Sequence, residues 1–284
     1  MTERSQVDEK ERLISVLREL DRFSDEAWLK SQAARKIEEA KFHDNSHDHQ
    51  GSAENSKFYS VAGSSERYLM GWIAQNSPGK VVLDYACGNG ECAVQAAQAH
   101  ALLSIGLDIS RGSIANARAA ARKAGVEGNS YFLVGDCEKT GLPDNCVDVV
   151  ICAGMLHHLD LSYALPELRR VMKPGAVAVV NEALNYNPAI KLYRRLTPQL
   201  RTAFEVEHII SHKELRFASA FFEIREVRYW HLLALLAVPF RRLSVFGPLK
   251  DFLAGMDRIL LRIPVIRNLA WQFTFLMRKR LDDR

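Results

Sequence analysis

The chain lacks most of the features that mark unusual classes of protein. Cysteine is scarce, five in 284 residues at positions 87, 92, 137, 146 and 152, with no Cys-x-x-Cys pair. An odd and scattered set excludes a disulfide scaffold and suits a reducing compartment. Long hydrophobic runs are absent. The greasiest, Trp230 to Phe240, is eleven residues and contains a proline, short of the ~18 apolar residues a spanning helix needs. The opening MTERSQVDEKER is charged and has no apolar centre, so no signal peptide is expected. Glycine (16) and proline (9) are too few for a collagen-like chain. A large excess of one charge is missing too, since 38 cations face 34 acids. What remains is ordinary globular usage, long enough to bury a core without staples. A soluble, cytoplasmic protein is expected.

The small net charge conceals a division along the chain. From Ile190 onward there are 18 lysines and arginines against 9 acids, and before it 20 against 25. A basic, aromatic-rich final third suits an anionic substrate or a membrane surface, although a solvated face over an ordinary core has the same composition.

Periodicity divides the chain in two. Asp8 to Phe42 reads as two helices, with Leu13, Ile14, Leu17 and Leu20 at helical spacing and Ser24-Asp25 capping the second. A polar stretch, HDNSHDHQGSAENS, reads as loop. A helix carrying Tyr68, Leu69, Trp72 and Ile73 on one face follows. From Lys80, short apolar runs alternate with helical segments: Val81–Gly88, Leu102–Asp108, Tyr131–Asp136, Val147–Gly154 and Ala176–Ala183 as strands. Helices are expected at Glu91–Ala99, Ser110–Gly125 and Ser162–Met172. Alternation of this kind gives a parallel sheet covered on both faces, whose strands are continuous apolar runs. Later strands are expected at Phe221–Tyr229 and Trp271–Met277. Between them Leu232–Ile266 reads as amphipathic helices broken at Pro239, Gly247-Pro248 and Pro264. The expected organisation is an N-terminal helical segment, 1–57, and an α/β domain, 58–284, with 184–266 on the substrate side.

In an open α/β sheet, ligands bind beyond the carboxyl ends of the strands. The first such end is Asp84-Tyr85-Ala86-Cys87-Gly88-Asn89-Gly90, whose small residues allow a tight turn and close approach to a ligand. The second is Asp108, a carboxylate able to accept both hydroxyls of a ribose. The third is Asp136-Cys137, suited to an adenine amino group and a ring nitrogen. The fourth is Ala153 to His158. Gly88-x-Gly90-x-x-Ala93 with Asp108 also fits a dinucleotide fingerprint, so a nicotinamide-dependent dehydrogenase stays open on the loop alone.

As an ordered set, LDYACGNG, GLDIS, GDCEKTGLP, VDVVICAGMLHHL and VMKPGAVAVVNEA resemble the motifs of class I S-adenosylmethionine-dependent methyltransferases. The resemblance is close over Val81–Ala183 and looser over Phe58–Arg280. It implies a doubly wound, Rossmann-like sheet of seven strands, mostly parallel with the last antiparallel, and S-adenosylmethionine as cofactor. Asp84 and the Ala86–Gly90 loop, with Cys87 and Gly88, would hold the methionine end. Asp108 would bind the ribose, Ile109 would pack on the adenine, and Asp136 and Cys137 would meet its edge. Backbone at Ala153 would face the methionine amino group, and Tyr59 would join from the N-terminal side. Ala86 departs from the pattern, in which glycine is usual.

Methyl transfer from a sulfonium needs alignment and exclusion of water, plus a base when the acceptor is a hydroxyl or an acidic C–H. Candidate bases are His157 and His158 after the fourth strand and Glu182 at the end of the fifth; His43, Tyr59 and His208 are lesser ones on lid segments. His43, His47 and His49 with Asp44 and Asp48 match no structural zinc spacing, and no metal is expected. Acceptor-side aromatics such as Tyr186, Tyr229, Trp230 and Phe252 suit a small, hydrophobic acceptor methylated on oxygen or carbon, and arginines including Arg194, Arg241, Arg258 and Arg267 suit an anionic group on it. AGMLHHL lacks the Asn/Asp-Pro-Pro-aromatic signature of nitrogen methylation on RNA or protein, and no nucleic-acid module is evident. Those enzymes, and a silent cofactor-binding protein, are the alternatives.

Overall fold

The structure is a computed structural model that describes residues 3–46, 57–197, 202, 204–205 and 208–282. The N-terminal part holds α1 (Glu3–Phe23), α2 (Glu26–Lys30) and α3 (Ala34–Ser46). Two helices were expected here; the chain breaks a second time at Ser31–Ala33, where the Ser31 hydroxyl turns back to the Trp28 carbonyl. The cap at Asp25 is as expected, its carboxylate accepting from Trp28 N–H. His47, Asp48 and His49 lie outside the described residues.

The body follows as α4 (Gly63–Asn76), β1 (Val81–Tyr85), α5 (Glu91–Gln98), β2 (Leu103–Asp108), α6 (Arg111–Ala124), β3 (Ser130–Val134), β4 (Val147–Ala153), α7 (Leu161–Val171) and β5 (Met172–Ala183). Then come α8 (Pro188–Leu196), α9 (His212–Ala218), β6 (Glu223–Trp230), α10 (Phe246–Leu260) and β7 (Gln272–Arg278). The seven strands form one sheet in the order β3-β2-β1-β4-β5-β7-β6. β1 to β5 run parallel, and β7 is antiparallel to both β5 and β6. The expected seven-stranded, mostly parallel Rossmann-like sheet is therefore present.

The central strands are buried along their whole length, which is why they read as unbroken apolar runs. One face is covered by Leu13 and Leu17 of α1 with Leu165 and Leu168 of α7. The other is covered by Leu69 and Ile73 of α4 with Cys92 and Ala96 of α5. β6, at the edge, is mostly exposed. It is guarded by charges at 223, 225, 226 and 228 and by an irregularity between Arg225 and Arg228, with Glu226 at φ 46°.

Three expectations are corrected. Lys173-Pro174-Gly175 does not separate helix from strand, because β5 starts at Met172 and passes through them. A register shift between Val147 and Val149, and Gly175 at φ 82°, absorb the irregularity. Gly247-Pro248 does not break a helix but lies in the first turn of α10, where proline forfeits no intrahelical hydrogen bond. The preceding Leu233–Phe240 is a 3-10 helix rather than an amphipathic α-helix. Among the described residues no helix is long and apolar enough to cross a membrane.

Candidate active site

The carboxyl ends of β1 to β4 converge on a cavity of about 230 Å³. Its wall includes Ala86, Cys87, Gly88, Asp108, Ile109, Asp136, Cys137, Ala153 and His158 from the sequence-based set. Asp84, Gly90, Tyr59, His157 and Glu182 do not line it.

The loop after β1 is forced into its shape by three positive φ values: Ala86 at 55°, Gly88 at 50° and Gly90 at 81°. A Cβ at Gly88 would meet nothing within 4 Å, so that glycine faces open space in the cleft. Gly90 instead faces the core, where a Cβ would sit 2.7 Å from the Ala117 side chain and 2.8 Å from Phe132. Ala86 pays for its left-handed backbone, a conformation that costs an L-residue roughly 1–2 kcal/mol.

Two carboxylates fix this loop from beneath and beside. Asp84, 2% exposed, accepts from Ala93 N–H at 2.9 Å and so anchors the start of α5. Burial pushes its pKa up to about 7, the Ala93 bond holding it back, and the charges of Asp108 and Glu91 add to the rise. Asp108 accepts from Gly88 N–H at 2.8 Å and from Ser110 N–H at 2.9 Å. Burial raises its pKa as well, against those two bonds. Each Asp108 oxygen keeps a second lone pair for a ligand hydroxyl.

Helix α3 closes the cavity. Lys36 Nζ lies 2.6 Å from Asp136 Oδ2 and 2.9 Å from Glu138 Oε2. Arg35 pairs with Glu138 and donates to the His158 carbonyl. Further along, Asp44 accepts from the Ser110 hydroxyl and from Gly112 N–H at the start of α6. Sequence reasoning placed the N-terminal helices near the substrate but missed these residues. The available signal was the spacing 36, 39, 43, which puts Lys36, Glu39 and His43 on one helix face.

The two histidines after β4 are each held by a carboxylate. His157 Nδ1 donates to Glu182 Oε2 at 2.7 Å, and Glu182 Oε1 accepts from Met155 and Leu156 N–H at 2.8 and 2.6 Å. Glu182 therefore ties the loop and the His157 ring together from beneath. His158 Nδ1 donates to Glu39 Oε2 at 3.1 Å, and Glu39 also accepts from the Thr202 hydroxyl. Burial alone would lower the His158 pKa, but the Glu39 hydrogen bond and charge, with Glu205 and Glu182 further off, raise it. The rings of His157 and His158 sit 4.2 Å apart, and His43 lies edge-on to His158 at 5.1 Å.

Glu39, His43 and His158 bring their ligating atoms within 4.8 Å of one another, as do His157, His158 and Glu205. Such a set has donors for a cation, although its closest pairs are already spent in hydrogen bonds. His208, on the exposed side, donates from Nδ1 to the Phe204 carbonyl at 2.8 Å. Tyr59 is 55% exposed and packs edge-on to Trp271 at 5.5 Å.

Comparison with known proteins bears on this geometry. Residues 83–180 match the family described as "Methyltransferase domain". The chain is 33% identical over 107 residues to a 27-O-demethylrifamycin SV methyltransferase of Amycolatopsis mediterranei (strain S699), covering 37% of this chain and 39% of that protein. It is 32% identical over 123 residues to the ubiquinone/menaquinone biosynthesis C-methyltransferase UbiE of Geobacter sulfurreducens, covering 42% and 47%. The chain thus spans less than half the length of these curated relatives. Among solved structures, a geranyl diphosphate methyltransferase in complex with GPP and sinefungin superposes with TM-score 0.54 at 16% identity, over 74% of this chain and 77% of that one. A [4+2]-cyclase, SpnF, superposes with TM-score 0.52 at 20% identity, over 75% and 80%. Residues 83–180 accordingly match a methyltransferase domain, and the chain shares the overall fold of these solved structures, with a candidate cofactor cleft at the carboxyl ends of β1 to β4.

Proposed function

We propose that the chain binds S-adenosylmethionine in this cleft and moves its methyl group to an oxygen or carbon of a small, largely hydrophobic acceptor. The observation that carries the reading is the convergence of Asp108, Asp136 and the left-handed Ala86–Gly90 turn on one cavity that His158 also lines. The donor set suits the cofactor. Asp108 offers free lone pairs to a ribose, and Gly88 and Gly154 leave open space where any side chain would intrude. Asp136 and Cys137 stand where an adenine edge would lie, and Ala153 borders the methionine end. Asp84 supports the turn from below, and Tyr59 stands outside the cavity as a flank.

When bound, the cofactor supplies an activated methyl on a positively charged sulfur. The protein's own contribution is placement, dryness and a proton acceptor. His158 is the base in this reading: Glu39 holds its Nδ1–H, leaving Nε2 to accept a proton from the acceptor. His157 and Glu182 position the loop that carries it. The acceptor enters between α3 and the segment 184–266, whose cations suit a substrate with an anionic group. The chain works in the cytoplasm, and its basic final third touches the membrane surface.

The rifamycin, quinone and sterol methyltransferases among the relatives favour a bulky apolar acceptor over nucleic acid. The cyclase shares only the fold, which does not itself give an activity. Calorimetry with S-adenosylmethionine and with NAD tests the cofactor. Release of S-adenosylhomocysteine in a metabolite extract, with Asp108→Ala as control, tests the transfer. Binding of NAD alone, or cofactor binding without turnover in any extract, overturns the reading.

A further inference from the structure

A second cavity, of about 700 Å³, opens against the edge strand β6 and shares no lining residue with the cofactor cleft. Its walls come from α4, the end of β6, α10 and the segment that follows it. Five arginines line it: Arg67, Arg228, Arg258, Arg262 and Arg267. Among the described residues, the one carboxylate on the wall, Asp257, is spent, since its oxygens accept the N–H groups of Leu232, Leu233 and Ala234. Arg228 reaches Glu226 at 3.3 Å on the exposed rim. The other four make no ion pair among the described residues. Arg267 Nε is buried without a hydrogen-bond partner there, and its guanidinium lies 5.3 Å over the Tyr229 ring. Arg228 lies 4.6 Å over Tyr68. Five cations gathered on one concave wall repel one another unless an anion joins them. The planar guanidinium fork matches a phosphate in particular.

A row of exposed apolar side chains belongs to the same elements. Phe252, Met256 and Ile259 stand at helical spacing on α10, 66%, 38% and 68% exposed, and Ile263 and Val265 continue past its end. Residues 232–270 hold six cations and two acids. An apolar helix face flanked by arginines is the pattern of a helix lying in a bilayer interface. A symmetric second copy would set the same arginines against each other.

We propose that the arginine groove seats the phosphate headgroup of an anionic phospholipid, while the Phe252–Met256–Ile259 row enters the bilayer interface. This specifies the membrane contact proposed above and rests on it, but not on the methyl acceptor. The headgroup lies along Arg258, Arg262 and Arg267, with Tyr229 as floor, and α10 lies flat on the membrane.

The test is sedimentation of the purified chain with vesicles of phosphatidylcholine alone and of phosphatidylcholine with phosphatidylglycerol. The mixed vesicles carry the protein down and the neutral ones do not. Each arginine near an anionic surface contributes ~1 kcal/mol, so Arg258→Gln/Arg262→Gln weakens binding by roughly tenfold or more. Arg122→Gln/Lys123→Gln, which removes the same charge from exposed positions on α6, leaves binding within about twofold. Phe252→Ser/Ile259→Ser weakens it at unchanged charge. Circular dichroism confirms that each variant is folded. No sedimentation of the wild type overturns the membrane contact itself. Sedimentation weakened equally by both charge pairs overturns the groove alone. Binding of glycerol 3-phosphate without vesicle binding makes it a soluble-anion site and overturns the lipid.

Discussion

Lys36 of α3 is tied to Asp136 at the end of β3, Nζ to Oδ2, at 2.6 Å, with the two side chains 16% and 8% exposed. Asp136 is the carboxylate proposed to face an adenine, so the helix is latched onto the ligand's proposed partner. The cavity beneath, about 230 Å³, is smaller than the ~300–1,000 Å³ usual for pockets that enclose a small molecule. Entry of a nucleoside-sized cofactor is therefore expected to displace α3.

Lys36→Met is expected to speed entry. Removing the ammonium breaks the ties of Lys36 to Asp136 and Glu138, and leaves α3 held by Arg35 on Glu138, Glu39 on His158 and Asp44 at the start of α6. Stopped-flow fluorescence should show cofactor association accelerated severalfold, with dissociation accelerated as well. An unchanged association rate in a folded variant means that α3 does not gate the cleft. The lost pair also lowers stability, because it leaves Asp136 without its cation.

Glu39 should set the pH dependence of turnover. It raises the His158 pKa by hydrogen bond and charge, so the imidazole holds its proton above its ordinary range. A base must be neutral to act, so kcat/KM rises with pH as that proton leaves. Glu39→Gln removes the stabilising charge, and the rising limb moves to lower pH. His158→Ala lowers kcat/KM by about 10²–10⁴-fold with a hydroxyl acceptor, at little cost in cofactor affinity. A pH profile indifferent to Glu39→Gln removes His158 from proton transfer.

The parallel strands were legible because burial on both faces writes itself as unbroken apolar runs, whereas the antiparallel last strand followed from the family resemblance, since β6 at the edge is mostly exposed. The Asp84–Gly90 and Asp108 landmarks were legible because tight turns at strand ends need small residues and single acids. The Glu39–His158 and Lys36–Asp136 pairs were not, since they join residues about a hundred positions apart through the docking of a helix. Glu182 shows a different kind of difference. Its position at a strand end suggested chemistry, but both its oxygens are taken by Met155, Leu156 and His157. Pro248 was misread because the first turn of a helix and a break look alike in sequence.

Ala86 and Gly90 should respond in opposite directions to exchange between glycine and alanine. Ala86→Gly relieves a left-handed backbone at φ 55° and gains up to about 1 kcal/mol after the added freedom of the unfolded chain is counted. Gly90→Ala places a Cβ 2.7 Å from Ala117 and 2.8 Å from Phe132 at φ 81°, and should cost about 1–3 kcal/mol by overpacking and strain. Urea unfolding measures both. A Gly90→Ala variant as stable as the wild type would show that the loop is free to repack.

Asp84 and His231 should shape stability in opposite senses over the same pH range. Burial pushes Asp84 up to about 7 from an ordinary 3.8. Its folded pKa is raised, so its contribution is complete below pH 3.8 and is lost as pH climbs toward 7. Burial first of all, and Arg67 after it, bring His231 down to about 4 from 6.5, against its bond at Ala62. Its folded pKa is depressed, so its contribution is complete above pH 6.5 and is lost as pH falls toward 4. At ~1.4 kcal/mol per unit, each is on the order of a few kcal/mol, and in the wild type the two slopes oppose each other. Asp84→Asn leaves the histidine alone, and stability should then rise with pH between 4 and 6.5. His231→Asn leaves the aspartate alone, and stability should fall over that interval. Urea midpoints at pH 4.5 and 6.5 for the three proteins read the slopes directly. Parallel curves for the wild type and Asp84→Asn would mean that the Asp84 carboxyl titrates at its ordinary pKa, with water reaching it beneath the glycine turn.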